Sequence, residues 1–74
     1  MDKPEFYQRL AEILDVEAVK PEDVLKDFDA WDSLAVLSVL AMADAKYGVS
    51  VKAEEMRLVV SAEDLARLIE AKRR

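Results

Sequence analysis

The positions of the apolar residues predict three long helices joined by two connections. The first helix begins near Asp2 and Pro4, since both residue types are typical of the start of a helix. Beyond them, apolar residues fall at positions i, i+4, i+7 and i+8, which is one stripe of an amphipathic helix. The stripe consists of Phe6, Leu10, Ile13 and Leu14.

The second predicted helix runs from about Ser33 to Tyr47 and is apolar on almost every side. Gly48 follows it, and glycine is the residue type best suited to end a helix. A helix that is apolar all round is normally buried all round, but three small helices cannot cover this one completely. We therefore expect part of its surface to be exposed as a docking surface or a ligand channel. The predicted core face holds Val36, Val39, Leu40, Ala43 and Tyr47, and the opposite side holds Leu34, Ala35, Leu37, Ala41 and Met42.

The last predicted helix begins after Ser61. Ser61 and Asp64 are spaced like the two residues of a capping box, in which each side chain accepts a hydrogen bond from the other's backbone. Just before it, residues 49–52 are predicted to be extended and residues 53–57 to form one short, marginal helix. The core stripe of the last helix consists of Ala62, Leu65, Ala66, Leu68 and Ile69.

Residues 16–32 form a long connection that we expect to pack on the core, since long loops in small domains are usually functional or well packed. A short helical turn is predicted at residues 21–23. The whole chain, residues 1–74, is therefore predicted to be one all-α domain, a small four-helix bundle with three longer helices and one short helix. The connection's apolar residues are Val16, Val19, Val24, Leu25 and Phe28.

The composition disfavours a self-contained enzyme. The chain has no Cys and no His, so disulfides, thiolate zinc sites, cysteine nucleophiles and the commonest general base are excluded. With one Gly, a glycine-rich phosphate loop is excluded as well. We expect no catalytic residues and no metal site, and a module on which other proteins act.

The net charge of −5 is unevenly distributed, because residues 1–32 hold ten acidic and four basic side chains. An acidic chain is unsuited to nucleic acid and suited to basic partner surfaces. The start of the chain has no apolar run typical of a signal peptide, and the longest uncharged stretch, residues 33–43, is too short to span a bilayer. We expect a cytoplasmic monomer and no membrane-spanning segment.

Ser33 is the most plausible point of covalent chemistry in this chain. A hydroxyl at the start of a helix is accessible to an enzyme, and an anionic group attached to it would lie against the free N–H groups of the first turn. The structural alternative is that Ser33 merely caps the helix, because Ser and Asp are both favoured at that position.

Several of these features occur in an order that resembles the acyl carrier proteins. They are Asp32-Ser33-Leu34 about 40 residues before the C-terminus, a helix ending in Tyr47-Gly48, the segment Val49-Ser50-Val51, an acidic short helix at Glu54-Glu55, and Ser61 opening a last helix with Leu65, Leu68 and Ile69. The resemblance covers essentially the full length. It implies that a phosphopantetheinyl transferase with Mg²⁺ attaches 4′-phosphopantetheine from coenzyme A to Ser33. The thiol of that arm would carry acyl groups as thioesters between acyl ligases, ketosynthases or acyltransferases of fatty-acid, polyketide or other pathways.

The same resemblance assigns roles to residues around Ser33. Trp31, Asp32 and Leu34 are the flanking motif. Leu34, Leu37, Met42, Asp27, Asp29 and Asp32 are expected to dock partner enzymes. Leu37, Val59 and Val60 are expected to line a site for the acyl chain, with Leu34 and Met42 as further candidates; ordinary core packing is the alternative for each of them.

The chain departs from the housekeeping carriers of fatty-acid synthesis in its second helix. Those carriers usually have acidic residues at the positions of Ala35 and Ser38, and a small residue at the position of Trp31. The late acidic cluster is reduced to Asp44. We therefore expect a specialised stand-alone carrier with its own partner enzymes.

Two alternatives remain open. An aminoacyl carrier would share the fold and the serine chemistry; peptidyl carriers tend to have glycines and a His before the serine, which are missing here, but the D-alanyl type is harder to exclude. An unmodified helical interaction domain would use the apolar second helix for docking, with Ser33 only as a cap.

Overall fold

The computed structural model describes residues 1–73, and within them the chain is all-helical. The helices are α1 (Lys3–Leu14), α2 (Ser33–Tyr47), α3 (Ala53–Met56) and α4 (Ala62–Lys72), with a 3-10 turn at Leu25–Asp27. Three of the four are long, as predicted, and no strand occurs in residues 1–73. No helix in this range is both long and apolar enough to cross a membrane.

The helix ends follow from local residue choices. Asp2 caps α1, where its Oδ1 accepts the Glu5 N–H at 3.2 Å. The Ser61 hydroxyl accepts the Asp64 N–H at 3.1 Å and Asp64 Oδ2 accepts the Ser61 N–H at 3.1 Å, which confirms the predicted capping box of α4. Gly48 ends α2 with a φ of 64°, a left-handed conformation that glycine adopts without steric cost.

The core is built from one face of each long helix. In α1 the predicted stripe is buried at Phe6, Leu10 and Leu14, while Ile13 is half-buried. In α4 the buried positions include Leu65 and Ile69, both fully inaccessible, and Leu68 is half-buried. Other buried core residues are Val19, Leu25, Val39, Ala43, Val49, Val51, Met56, Ala62 and Ala66.

The buried face of α2 is rotated relative to the prediction. Ala35, predicted on the outer side, is only 5% exposed and belongs to the core. It lies four residues before Val39 and eight before Ala43, so the three form one stripe along the helix. Small side chains at 35 and 43 let α2 pack closely, and this leaves the bulkier Val36, Leu40 and Tyr47 half-buried beside the stripe.

Two predictions for the long connection are wrong. Val16 does not pack on the core: it directly follows Asp15, which ends α1 in a left-handed conformation, and it is 38% exposed. The helical turn is displaced from residues 21–23, where a simple turn is closed by the Asp23 N–H donating to the Lys20 carbonyl at 3.0 Å. Helical geometry starts only at Leu25, whose side chain is anchored in the core.

The connection is tied to the segment before α4 by backbone hydrogen bonds. The Leu25 N–H donates to the Val60 carbonyl at 3.0 Å, and the Ala62 N–H donates to the Asp23 carbonyl at 2.9 Å. An isolated antiparallel bridge joins Val24 to Ser61 at the same place. These bonds hold the 3-10 turn beside the residues that follow α3, so both flank the start of α2.

Candidate functional site

Ser33 is the first residue of α2, and the helix is capped by Asp32 instead. Asp32 has an extended backbone, and its Oδ1 accepts the Ala35 N–H at 2.9 Å. The helix therefore has its cap without the serine hydroxyl. Ser33 itself is exposed, so its hydroxyl is accessible from solvent.

The start of α2 is the positive end of that helix. The Val36 N–H donates to the Asp32 carbonyl at 3.0 Å, which is the first intrahelical bond. Helix geometry leaves the N–H groups of Ser33 and Leu34 without such a partner. The first turn of α2 contains no acidic residue. An anionic group on the Ser33 hydroxyl would thus lie beside free N–H donors and the positive dipole end.

A cleft of about 280 Å³ opens beside this helix start. Two of its lining residues, Trp31 and Val36, bracket Ser33 in the sequence, and Val36 lies one helical turn along the same side of α2. We call it the Trp31 cleft. It is lined by Lys26, Trp31, Val36, Ala53, Met56, Arg57 and Val59.

A second cleft, of about 440 Å³, lies between α3 and α4. Three of its lining side chains are apolar, and Leu68 of α4 is one of them; we call it the Leu68 cleft. Val59 lines both clefts, so they meet at that residue. The Leu68 cleft is lined by Leu58, Val59 and Leu68 with Glu55, Asp64 and Arg67.

The rim of the Leu68 cleft carries two carboxylates held in their charged form. A hydrogen bond from Lys72 is the main cause that lowers the pKa of Glu55 below its usual 4.5. Backbone N–H groups of Ser61 and Val60 lower the pKa of Asp64 in the same way. At neutral pH the cleft therefore has charged side chains of both signs, Glu55, Asp64 and Arg67, around its apolar lining.

Of the three residues predicted to line an acyl site, one lines the clefts and two lie on the surface. Val59 is half-buried and lines both clefts. Leu37 and Val60, 60% and 56% exposed, lie on the surface and line neither cleft. Leu37 is one position past Val36 and is turned 100° away from it around the helix. The Val60 carbonyl accepts the Leu25 N–H, while the Val60 side chain stays exposed.

The predicted docking residues are mostly exposed, but they do not all lie at the start of α2, because Met42 is in the second half of that helix. Leu34 is 72% exposed and Leu37 60% exposed, whereas Met42 is half-buried against the core. The acidic docking candidates Asp27, Asp29 and Asp32 are all exposed.

Sequence reasoning missed three residues at these surfaces. Lys26 and Arg57 come together at the Trp31 cleft although they belong to separate connections, and no sequence pattern links them. Leu58 is the most exposed large apolar side chain, at 84%. The sequence did indicate that Leu58 is exposed, because this residue follows the short helix α3 and belongs to no predicted core stripe.

Comparison of the chain with protein-family models, with curated proteins and with solved structures found no match. Within residues 1–73, no group of three or more acidic side chains is placed to hold a metal ion. Function is therefore inferred from the residues and geometry of this chain alone.

Proposed function

We propose that this protein is an acyl carrier protein with the acyl carrier type of helical bundle, and that it carries 4′-phosphopantetheine on Ser33. The observation that supports this most directly is that two different residues provide the cap and the exposed hydroxyl at the start of α2. Asp32 caps the helix through its bond to the Ala35 N–H, and the Ser33 hydroxyl stays exposed for modification. A serine needed only as a cap would occupy the position that Asp32 holds.

The attachment step is a phosphoryl transfer to the serine. The Ser33 oxygen attacks the phosphorus of coenzyme A that bears pantetheine, the pyrophosphate bond breaks, and adenosine 3′,5′-bisphosphate leaves. The hydroxyl proton passes to a base on the phosphopantetheinyl transferase, which also supplies Mg²⁺. The carrier provides the exposed nucleophile and the free N–H groups beside the phosphodiester that results.

The surroundings of Ser33 fit such an arm and its cargo. When attached, the arm supplies a terminal thiol that carries acyl groups as thioesters. The apolar side chains of the Leu68 cleft can shelter an acyl chain, and burial stabilises it by about 0.8 kcal/mol per CH₂. Because Val59 lines both clefts, it is the first candidate to contact that chain.

The exposed part of α2 fits partner enzymes that make apolar contact. Leu34 and Leu37 are uncovered on the helix that begins with Ser33, so an acyl ligase, ketosynthase or acyltransferase that approaches the arm meets them. The exposed acids Asp27, Asp29 and Asp32 provide the charge that attracts a basic transferase surface.

Intact-mass measurement tests the proposed function. The unmodified protein is incubated with coenzyme A, Mg²⁺ and a promiscuous phosphopantetheinyl transferase. The wild-type chain should gain the mass of one phosphopantetheine, and Ser33→Ala should gain none. Ser38→Ala, an exposed serine farther along the same helix, is the matched control and should be modified like the wild type.

Two results would contradict this proposal. A wild-type chain that gains no mass, while a known carrier in the same tube is modified, would overturn the carrier function. Modification of Ser33→Ala would move the attachment to another serine. Mass spectrometry of the loaded group would then separate an acyl cargo from a D-alanyl or peptidyl one.

A further inference from the structure

Two free cations lie at the Trp31 cleft. Lys26 comes from the 3-10 turn and Arg57 from the residue after α3, and both line this cleft. The ion pairs found within residues 1–73 use Lys3, Arg9, Arg67 and Lys72 and leave both cations at the cleft unpaired. In a chain with a net charge of −5, two unpaired cations at one concave surface favour an anion there.

The rest of the lining is apolar. The apolar lining of the cleft includes three side chains that are at least partly buried, Trp31, Val36 and Met56. A ligand that fits must therefore carry a negative charge next to a compact apolar group. The volume of the Trp31 cleft, about 280 Å³, is just below the volume of about 300 Å³ or more that a drug-sized molecule needs. The cleft can hold part of a phosphopantetheine arm but not the whole arm with an acyl chain.

The cleft is also next to the proposed attachment point. Trp31 precedes Ser33 by two residues, and Val36 follows it by one helical turn. The groups nearest to the serine oxygen in the arm are a phosphodiester, which is anionic, and a carbon bearing two methyl groups, which is apolar. Their order and chemistry match the lining of the cleft.

We infer that the Trp31 cleft holds the near half of the phosphopantetheine arm. Lys26 and Arg57 pair with the phosphodiester, and the two methyl groups pack on Trp31 and Val36. This inference rests on the proposed modification of Ser33. It means that the near half of the arm lies against the domain between reactions.

Nuclear Overhauser effects in the modified protein test this arrangement. The holo protein is prepared as wild type, Lys26→Gln, Arg57→Gln and the double variant. Lys46→Gln is the matched control, because it removes one exposed positive charge at the opposite end of α2. Contacts between the methyl groups of the arm and the Trp31 indole ring are measured, together with the shift of the indole N–H upon modification. Far-UV circular dichroism verifies that each variant is folded.

The expected pattern is specific to the two cations. Contacts to Trp31 should be present in the wild type and in Lys46→Gln, about two- to fivefold weaker in each single variant, and weaker still, by about four- to 25-fold, in the double variant, as expected for exposed ion pairs. Lys26→Arg should retain them. Raising the salt to about 1 M, where the Debye length is about 3 Å, should weaken the wild-type contacts.

Failure of this inference differs from failure of the carrier function. If Ser33 takes up phosphopantetheine but the arm makes no contact with Trp31, or the double variant keeps the contacts, the cleft does not hold the arm while the carrier function stands. If no mass is added to the wild type, the carrier function itself is overturned.

Discussion

The Lys72 ammonium, in the last turn of α4, lies 2.8 Å from a carboxylate oxygen of Glu55 in α3. The other oxygen of Glu55 accepts the Lys52 N–H at 2.9 Å. Since α3 has only four residues, it is too short to be stable by itself and depends on such ties. Residues of α3 line both clefts, so this one side chain helps to shape the site beside Ser33.

The Glu55–Lys72 pair should make α3 sensitive to acid. The hydrogen bond from Lys72 lowers the pKa of Glu55 from the usual 4.5. A carboxyl group whose pKa is lower in the folded state contributes stability that is present above the unfolded pKa and lost as the pH falls through the folded pKa. We expect the amide signals of α3 to change before those of the long helices as the pH drops below about 4.5.

Glu55→Gln should remove this acid response and loosen α3 already at neutral pH, as measured by hydrogen exchange at Met56. Glu54→Gln, an exposed neighbour on the same helix, is the control. Equal pH titrations of α3 in the wild type and Glu55→Gln would show that other groups hold this helix.

Substitutions of Asp32 and Ser33 should have different effects on stability, because only Asp32 caps α2. Asp32→Ala removes the acceptor of the Ala35 N–H and should lower the free energy of unfolding by about 1 kcal/mol. Ser33→Ala should change it by less than about 0.5 kcal/mol, because the hydroxyl is exposed and is not the cap. Urea unfolding measures both, and Asp32→Asn, which retains an acceptor, should stay close to the wild type. A larger loss in Ser33→Ala than in Asp32→Ala would contradict the assignment of the cap.

A larger side chain at Val59, which lines both clefts, should prevent an acyl chain from binding there. Loading the wild type with a long acyl group should slow hydrogen exchange in residues 49–60, since the chain packs against them. Val59→Phe places a ring where both clefts meet and should reduce this protection. Val60→Phe is the control, because that side chain is 56% exposed and lines neither cleft. Equal protection in all three proteins would place the acyl chain elsewhere.

The outer surface of α2 should determine the choice of partner enzymes. Its exposed residues Leu34, Leu37 and Ser38 carry no charge, so binding of a native partner should depend weakly on salt. Ser38→Glu should improve turnover by a housekeeping ketosynthase and impair the native partner. Gln8→Glu, exposed on α1, adds the same charge change away from this surface and is the control.

An acidic residue at position 35 is unsuitable for this test, although the housekeeping pattern suggests it. Ala35 is 5% exposed in the core, and a carboxylate there would destabilise the fold rather than alter docking. Housekeeping-level turnover by the unchanged protein would show that it is not specialised.

The features predicted correctly depend on residues close in sequence. The capping box of Ser61 and Asp64, the end of α2 at Gly48 and the stripe of α1 each involve side chains within a few positions of one another. The error at Ala35 came from a helix apolar on all sides, in which periodicity alone cannot choose the buried face.

The sequence by itself determined the helices, their ends and the serine at the start of α2, because hydrogen-bonded caps and helical periodicity act between residues at most four positions apart. Tertiary structure alone decided that Val59 lines two clefts and that Lys26 and Arg57, from separate connections, line one of them. These relations depend on how the connections cross the bundle, where the backbone hydrogen bonds from Leu25 to Val60 and from Ala62 to Asp23 hold distant segments together.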